Sequence, residues 1–476
     1  MRSLLILSLV AINLYLYAQD EPQELELLSH WEDSTLVGSF FFDNTYNEVW
    51  GIERNGHEYA IIGSTAGTHF IDMTDPKNPV EAFFIKGNES GNRIIHRDYH
   101  DLGDYLYAAA DEGNSTLQII DLSKLPEEIK VVYDSANLFN RTHNLFIDES
   151  QQRLYTFATS GGGLSYSPLR IYDLSKSPRI ELVAAFSVFG GVRVGHVHDG
   201  YVQDNIAYLN CGNDGFFIID FTDVLDPQVI DYLSTSNYPE SGYNHSGWLG
   251  SDCNHYYMAD ETWGKPMKVV DVSTPGEAEV ISLFDADSDS PFSIPHNQVV
   301  ACDYLYASYY YDGLQIYDLS DPKNPMRVAY FSTSKKDHRD NYEGAWGVYP
   351  FLPSGNILVS DMQTGLFILK GIEDSCNATA SSINCEDSTT STKESRAENR
   401  LKIYPQPSNT TINVELPNPQ QIELLRLFNL QGQLVQTWQI DGMTQTIELP
   451  LHRTLPNGIY NLVLNNNKAQ RVIIMR

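Results

Sequence analysis

Three observations predict an all-β chain, a seven-bladed β-propeller followed by a small C-terminal β-sandwich. The first is a punctuated motif: residues 70–79 read FIDMTDPKNP and residues 316–325 read IYDLSDPKNP. The second is its recurrence, with weaker copies beginning at Ile119, Ile171, Ile218 and Val269, so that the Asp closing the motif falls at Asp72, Asp121, Asp173, Asp220, Asp271 and Asp318. The period is roughly 50 residues, the range in which each repeat builds one propeller blade. The third is a tyrosine-rich run ahead of each motif, beginning at Glu58, Asp104, Arg153, Asn205, His255, Asp303 and Asn356.

Each copy resolves into strands on local grounds. A β-branched and aromatic run ends on Asp, and the turn that follows carries Pro, which cannot donate to a ladder and presets φ for turning. Another apolar alternation then returns. With the tyrosine-rich strand and one strand before it, every unit holds four antiparallel strands. A seventh unit, GLFILKGI from Gly365, has Lys370 in place of the Asp and runs into polar sequence without a return strand. Residues 24–31, ELELLSHW, resemble that missing strand, so the N-terminal segment is expected to complete the last blade and close the ring.

Composition bounds what surrounds this body. The chain has 476 residues, 42% hydrophobic, with 62 acidic against 31 basic residues and a net charge of -31. An acidic surface repels phosphate backbones, which argues against a nucleic-acid partner. Residues 1–18 read as a cleaved signal peptide: Arg2, a short apolar run, then Ala18 before Asp20 and Glu21. No later segment approaches transmembrane length. Five cysteines suit an oxidising route. Cys376 with Cys385, or Cys253 with Cys302 on successive repeats, are the spacings that invite pairing, with Cys211 left over; free thiols are equally compatible with the sequence.

Near the first strand of each unit stand Trp50, His96, His143, His198, His245, His296 and Trp346, each followed by Gly, Arg, a polar residue or an acid. Innermost strands of a propeller surround its axis, so these residues are expected to form a ring at one end of the channel. Two uses suit such a ring. It can hold a ligand or a metal ion, since neutral imidazole is a common ligand. Alternatively, each His fixes its own blade by hydrogen bonding, because sheltered polar groups need partners in any protein. No cofactor is assigned, and a divalent metal is the one the imidazoles would suit, although HExxH and paired CxxC spacings are absent. Asp285, Asp287 and Asp289 start like a calcium loop but lack its sixth-position Gly and twelfth-position Glu, which reads as a solvated acidic loop. Gly161–Gly163 lack the helix start that a phosphate cradle needs. No GxSxG or nucleophile–base arrangement stands out, so no catalytic residue is assigned.

Residues 373–400 turn Ser-, Thr-, Asn- and Glu-rich and read as a linker between a propeller over 24–372 and a sandwich over 401–476. In the last segment YPQP at 404–407, LFNLQGQLV at 427–435, LPNGIYNLVL at 455–464 and a closing basic residue after RVIIM resemble the type A C-terminal sorting domain of the type IX secretion system of Bacteroidetes, with Gln406 where that family carries Asn. The resemblance implies handling by that machinery, removal of the domain, and release or attachment at the cell surface. EYAIIGSTAGTHFIDMTDPKNPVE from Glu58 and YEGAWGVYPFLPSGNILVSDMQTGLFIL from Tyr342 resemble the choice-of-anchor B proteins, whose blades are of the LVIVD repeat class. That resemblance implies fold and location and no reaction. The resulting expectation is a secreted or surface-displayed module binding an extracellular protein or glycan. The alternative is a hydrolase or lyase using His198, His245 and His296 as metal ligands or acid–base groups at the channel mouth.

Overall fold

The computed structural model describes residues 21–372, Cys385, and residues 402–404, 408–421, 424–429, 434–440, 443–464 and 469–474. The expected signal peptide and, Cys385 apart, the expected linker lie outside the described residues.

Regular structure over the described residues is entirely β. Tyr46–Arg54, His57–Ser64, Gly67–Asp72 and Val80–Lys86 form an antiparallel sheet in chain order. Five more sheets repeat this order, with first strands Arg97–Leu102, Asn144–Asp148, Asp199–Gln203, Asn244–Leu249 and Gln298–Ala301. The seventh contains Ala345–Tyr349, Ile357–Asp361 and Gly365–Leu369, and its outer strand is Leu27–Trp31 from the other end of the chain. First strands neighbour one another in sequence order, and Ala345–Tyr349 returns to Tyr46–Arg54, so the contacts close into a ring.

The repeated Asp has a local task. Asp72, Asp121, Asp173, Asp220, Asp271 and Asp318 each accept a hydrogen bond from the backbone N–H two residues on, at Thr74, Ser123, Ser175, Thr222, Ser273 and Ser320. This Asx turn ends the third strand and launches the return. In the seventh sheet the amide of Lys370 instead donates to the carbonyl of Glu26, 3.0 Å away, which is where the incoming strand takes over.

Irregularity in the outer ladder supports that equivalence. In all six chain-continuous sheets the register between third and fourth strands shifts once, as between Phe70 and Ile71. The ladder between Leu27–Trp31 and Gly365–Leu369 carries the same shift, between Leu27 and Ser29. Such bulges twist an outer strand away from further pairing. Ahead of this strand, Gln23–Glu24 runs parallel to Met326–Phe331, so the chain crosses the rim of the sixth sheet before entering the seventh.

Burial follows from sheets packing on both faces. Middle strands are covered on either side by neighbours, which is why Tyr59, Tyr107, Tyr155, Tyr256 and Tyr306 are buried in apolar runs instead of alternating with polar residues. Outer strands such as Val80–Lys86 are largely exposed. One ion pair is sealed inside: Lys268 Nζ lies 3.0 Å from Asp260 Oδ2, and both side chains are fully buried. Tyr238 and the amide of Gly242 also donate to Asp260, supplying the hydrogen bonds that a buried carboxylate requires. Gly161–Gly163 make the turn of a long hairpin in the third sheet, where Arg170 donates to the carbonyls of Gly161 and Ser165. A side chain at Gly162 would collide with the carbonyl of Leu138.

Beyond residue 400 two further sheets enclose a core of their own. Ile412, Val414, Ile447 and Leu449 from one meet Leu425, Leu427, Trp438, Leu462 and Val472 from the other.

The cysteines pair differently from either spacing that the sequence invites. Cys253 bonds to Cys385, with Cα atoms 5.6 Å apart and 132 residues between them. Cys302 is also disulfide-bonded, and Cys211 is a buried free thiol. The turns carrying Cys253 and Cys302 do touch, Ser251 Oγ donating to the carbonyl of Cys302, but Cys253 reaches across to the segment that follows the last strand. Replacing Cys385 with Ser is expected to lower unfolding stability by about 2–4 kcal/mol. Chemical denaturation of the oxidised protein and the variant reads this directly; an unchanged midpoint would show that the bond does not constrain the fold.

Candidate functional site at the histidine mouth

Side chains at the starts of the first strands converge on the axis. His96 and His143 stack with centroids 4.4 Å apart, His143 lies 4.1 Å from His198, His198 3.9 Å from His245, and His245 4.7 Å from His296. Trp346 continues the circuit, 4.5 Å from His296 and 5.7 Å from His96. Five imidazoles and one indole therefore line a single cavity of about 330 Å³.

Trp50 does not join them. Pairing places Val49 opposite Ile62 and Tyr46 opposite Ser64, as Val348 lies opposite Val359 and Ala345 opposite Asp361. The residue equivalent to Trp346 is thus Asn47, and Trp50 stands three residues further along its strand. It packs on His100 at 4.6 Å and Tyr349 at 4.9 Å, and its Nε1 donates to Asp101. The shared Trp-Gly dipeptide misleads because the register, not the word, decides which way a side chain points. Trp50 belongs to a second aromatic tier with His100, Phe146, Tyr201 and Trp248, farther along the channel.

Between the tiers lies a polar layer. Glu48, Asp98 and Asp199 face the channel together with Asn144 and Asn297. Asn297 Nδ2 donates to Glu48 at 2.9 Å, and the amides of Val49, Tyr99, Leu145 and Gly200 supply further donors to the three carboxylates. Gly347 leaves the room that Glu48 occupies, since a Cβ there would fall 1.9 Å from Oε1.

Two acids that the sequence reading did not single out complete the mouth. Glu112 accepts from the amides of Ile95 and His96, and Glu261 accepts from Tyr310 Oη at 2.5 Å. Both sit in an Asp-Glu pair following a tyrosine-rich strand, Asp111-Glu112 and Asp260-Glu261. That repeated dipeptide was the available signal.

Burial sets the charge states. It pushes the imidazoles of His96, His198 and His245 well below their usual range, with help from one another, and takes His296 to about 3 and His196 to about 4. Burial alone would also lower His143, but its hydrogen bond to Asp111 and the charges of Asp111, Glu112 and Asp199 outweigh that and raise it. Desolvation lifts Glu112 and Glu261 to about 7. Near neutral pH the mouth therefore holds four imidazoles kept neutral by burial, a fifth, His143, drawn toward its charged form, and two carboxyl groups close to their own midpoints.

The rim is aromatic. Tyr166, 45% exposed, stacks on His196 and hydrogen-bonds to its Nδ1, while Trp263, 39% exposed, packs at a tilt on Tyr342, which itself packs on Tyr310. Phe40 and Phe41 are exposed on the segment leading to Phe42, which lines the cavity.

Comparison with known proteins divides the chain in two. Residues 402–475 match the family described as secretion system C-terminal sorting domain, which indicates export through the type IX route to the medium or the cell surface. No curated protein matches the chain. Among solved structures, U3-55K aligns with a TM-score of 0.50 at 8% identity, covering 74% of this chain and 100% of that one. The β-propeller domain of Cps50 (Swd1) from Myceliophteria thermophila aligns with a TM-score of 0.47 at 11% identity, covering 69% and 97%. At such identities the likeness concerns fold alone; the closed ring of four-stranded sheets is itself propeller-like. Among the described residues no helix is long and apolar enough to cross a membrane.

The polar layer yields a pH test. Burial raises Glu48 from 4.5 to about 7. A carboxyl that binds its proton more tightly when folded stabilises at low pH, and that stability is lost as pH rises from the unfolded to the folded value. Gln cannot ionise, and a turn of the Asn297 amide would offer it Oδ1, which has no other partner. Glu48→Gln is expected to be more stable than wild type by about 1–3 kcal/mol at pH 8, with the two converging near pH 4.5. Urea melts at both pH values check this; an equal gain at both would assign the effect to packing.

Proposed function

We propose that this is a secreted or surface-displayed binding module, a seven-bladed propeller that takes an extracellular glycan at its histidine mouth. Residues 1–18 act as its signal peptide, residues 401–476 form the sandwich that the type IX machinery handles, and the mature body is released or attached at the outer surface. The repeats at Glu58 and Tyr342 support placing the body with the choice-of-anchor B proteins of LVIVD class.

The observation that carries the ligand class is the aromatic rim. Flat side chains open to solvent at Tyr166 and Trp263, with the partly buried Tyr342 beside them, offer faces on which the C–H side of a sugar ring can stack. Below them, the imidazoles and the two acids Glu112 and Glu261 provide the directional donors and acceptors that distinguish hydroxyl patterns. A protein partner would be better served by a flatter, broader apolar surface than this concave, polar-floored cavity.

The test is retention on a glycan array, followed by titration calorimetry with the best ligand. Trp263→Ala is expected to weaken binding about tenfold, in line with roughly 1.5 kcal/mol for one aromatic contact, and to leave the melting temperature nearly unchanged. No retained glycan, or affinity indifferent to Trp263, would reject the reading.

A further inference from the structure

One corner of the mouth is built differently from the rest. His245 Nε2 stands 3.7 Å from Glu261 Oε2, too far for a hydrogen bond. One possible ligand atom from each of His245, Glu261 and His296 lies within 4.8 Å of the other two. His245 is buried, and its Nδ1 has no hydrogen-bond partner.

The surrounding contacts orient the other two groups. His296 Nδ1 is 2.6 Å from the carbonyl of Trp346, so this nitrogen carries the proton and Nε2 presents a lone pair. Tyr310 holds Oε1 of Glu261 and leaves Oε2 turned to His245. Hydrogen bonds of this kind, from the far side of a ligand to a carbonyl or phenol, fix tautomer and direction in metal sites. A carboxylate sunk among imidazoles, with one phenolic donor, is short of positive charge, and a dication would supply it.

We propose that His245, Glu261 and His296 bind a first-row divalent transition metal, with its remaining coordination positions open to the cavity. Two imidazoles and one carboxylate suit zinc, iron or cobalt better than magnesium or calcium, which favour oxygen donors. His198, which the sequence places in the same ring, packs at a tilt on His245 but lies outside this cluster. The proposal is independent of glycan binding, since it concerns the metal alone.

Full-length protein stripped with chelator would be titrated with Zn²⁺ by calorimetry and with Co²⁺ by visible absorption. One equivalent of each is expected, with ligand-field bands for cobalt. Glu261→Gln keeps the shape and an acceptor for Tyr310, and is expected to weaken Zn²⁺ binding at least tenfold, as is His296→Ala. His255→Ala, at the start of the second strand of the fifth sheet and at the far end of the channel, should bind as wild type does. Failure of wild type to take up one equivalent, or wild-type affinity in Glu261→Gln, would overturn the assignment. Glu261→Gln decides alone if His296→Ala fails to fold, and metal binding without glycan binding would leave this site standing while rejecting the previous reading.

Discussion

Closure of the ring is the constraint on which everything else depends. Seven sheets whose first strands touch in a circle can hold their axial side chains at fixed separations only if the last sheet is locked to the first part of the chain. Leu27–Trp31 does this by pairing with Gly365–Leu369, spanning almost the whole of the described propeller in sequence. The match extends to the bulge that every other outer strand carries, which implies that the strand is held by the same geometry and not by a looser substitute.

Once the ring is closed, the axis becomes an unusual solvent. Side chains pointing inward from first strands meet one another at close range, so each charge or hydrogen-bonding group must be answered from another sheet. The three tiers answer in different ways. At the mouth, burial holds His96, His198, His245 and His296 below their usual range while Asp111 holds His143 up; in the middle, carboxylates take backbone amides and Asn297; beyond them, aromatic rings including Trp50 and Tyr349 fill the space with carbon. The Lys268–Asp260 pair shows the same economy off the axis, where a buried cation is tolerated because its partner is itself fully hydrogen-bonded.

Much of this was legible because repeats write structure several times over. The Asp-ended strand, the tyrosine-rich strand and the displaced N-terminal strand are each readable from local chemistry, and five of the histidines fall on the axis because their positions recur. Legibility ended where a single residue broke the register. Trp50 looks like Trp346 in the sequence, yet a bulge-defined pairing puts Asn47 in that place. Glu112 and Glu261 escaped notice because two acids among 62 carry no weight until three dimensions show which are sheltered. The disulfide was out of reach for a related reason, as spacing along a chain says little about a bond formed across a ring.

That bond also places Cys385 at one particular end of the wheel. Antiparallel order within each sheet puts the turn holding Cys253 at the end of the channel away from the histidines, and Ile372 leaves the last strand at that same end. Cys385 is thus fastened to the back of the wheel. A cut after residue 385 would leave that fastening in place, while one between 372 and 385 would leave the downstream piece held by sulfur alone. The sulfur tie and the histidine cavity therefore occupy opposite ends of the wheel.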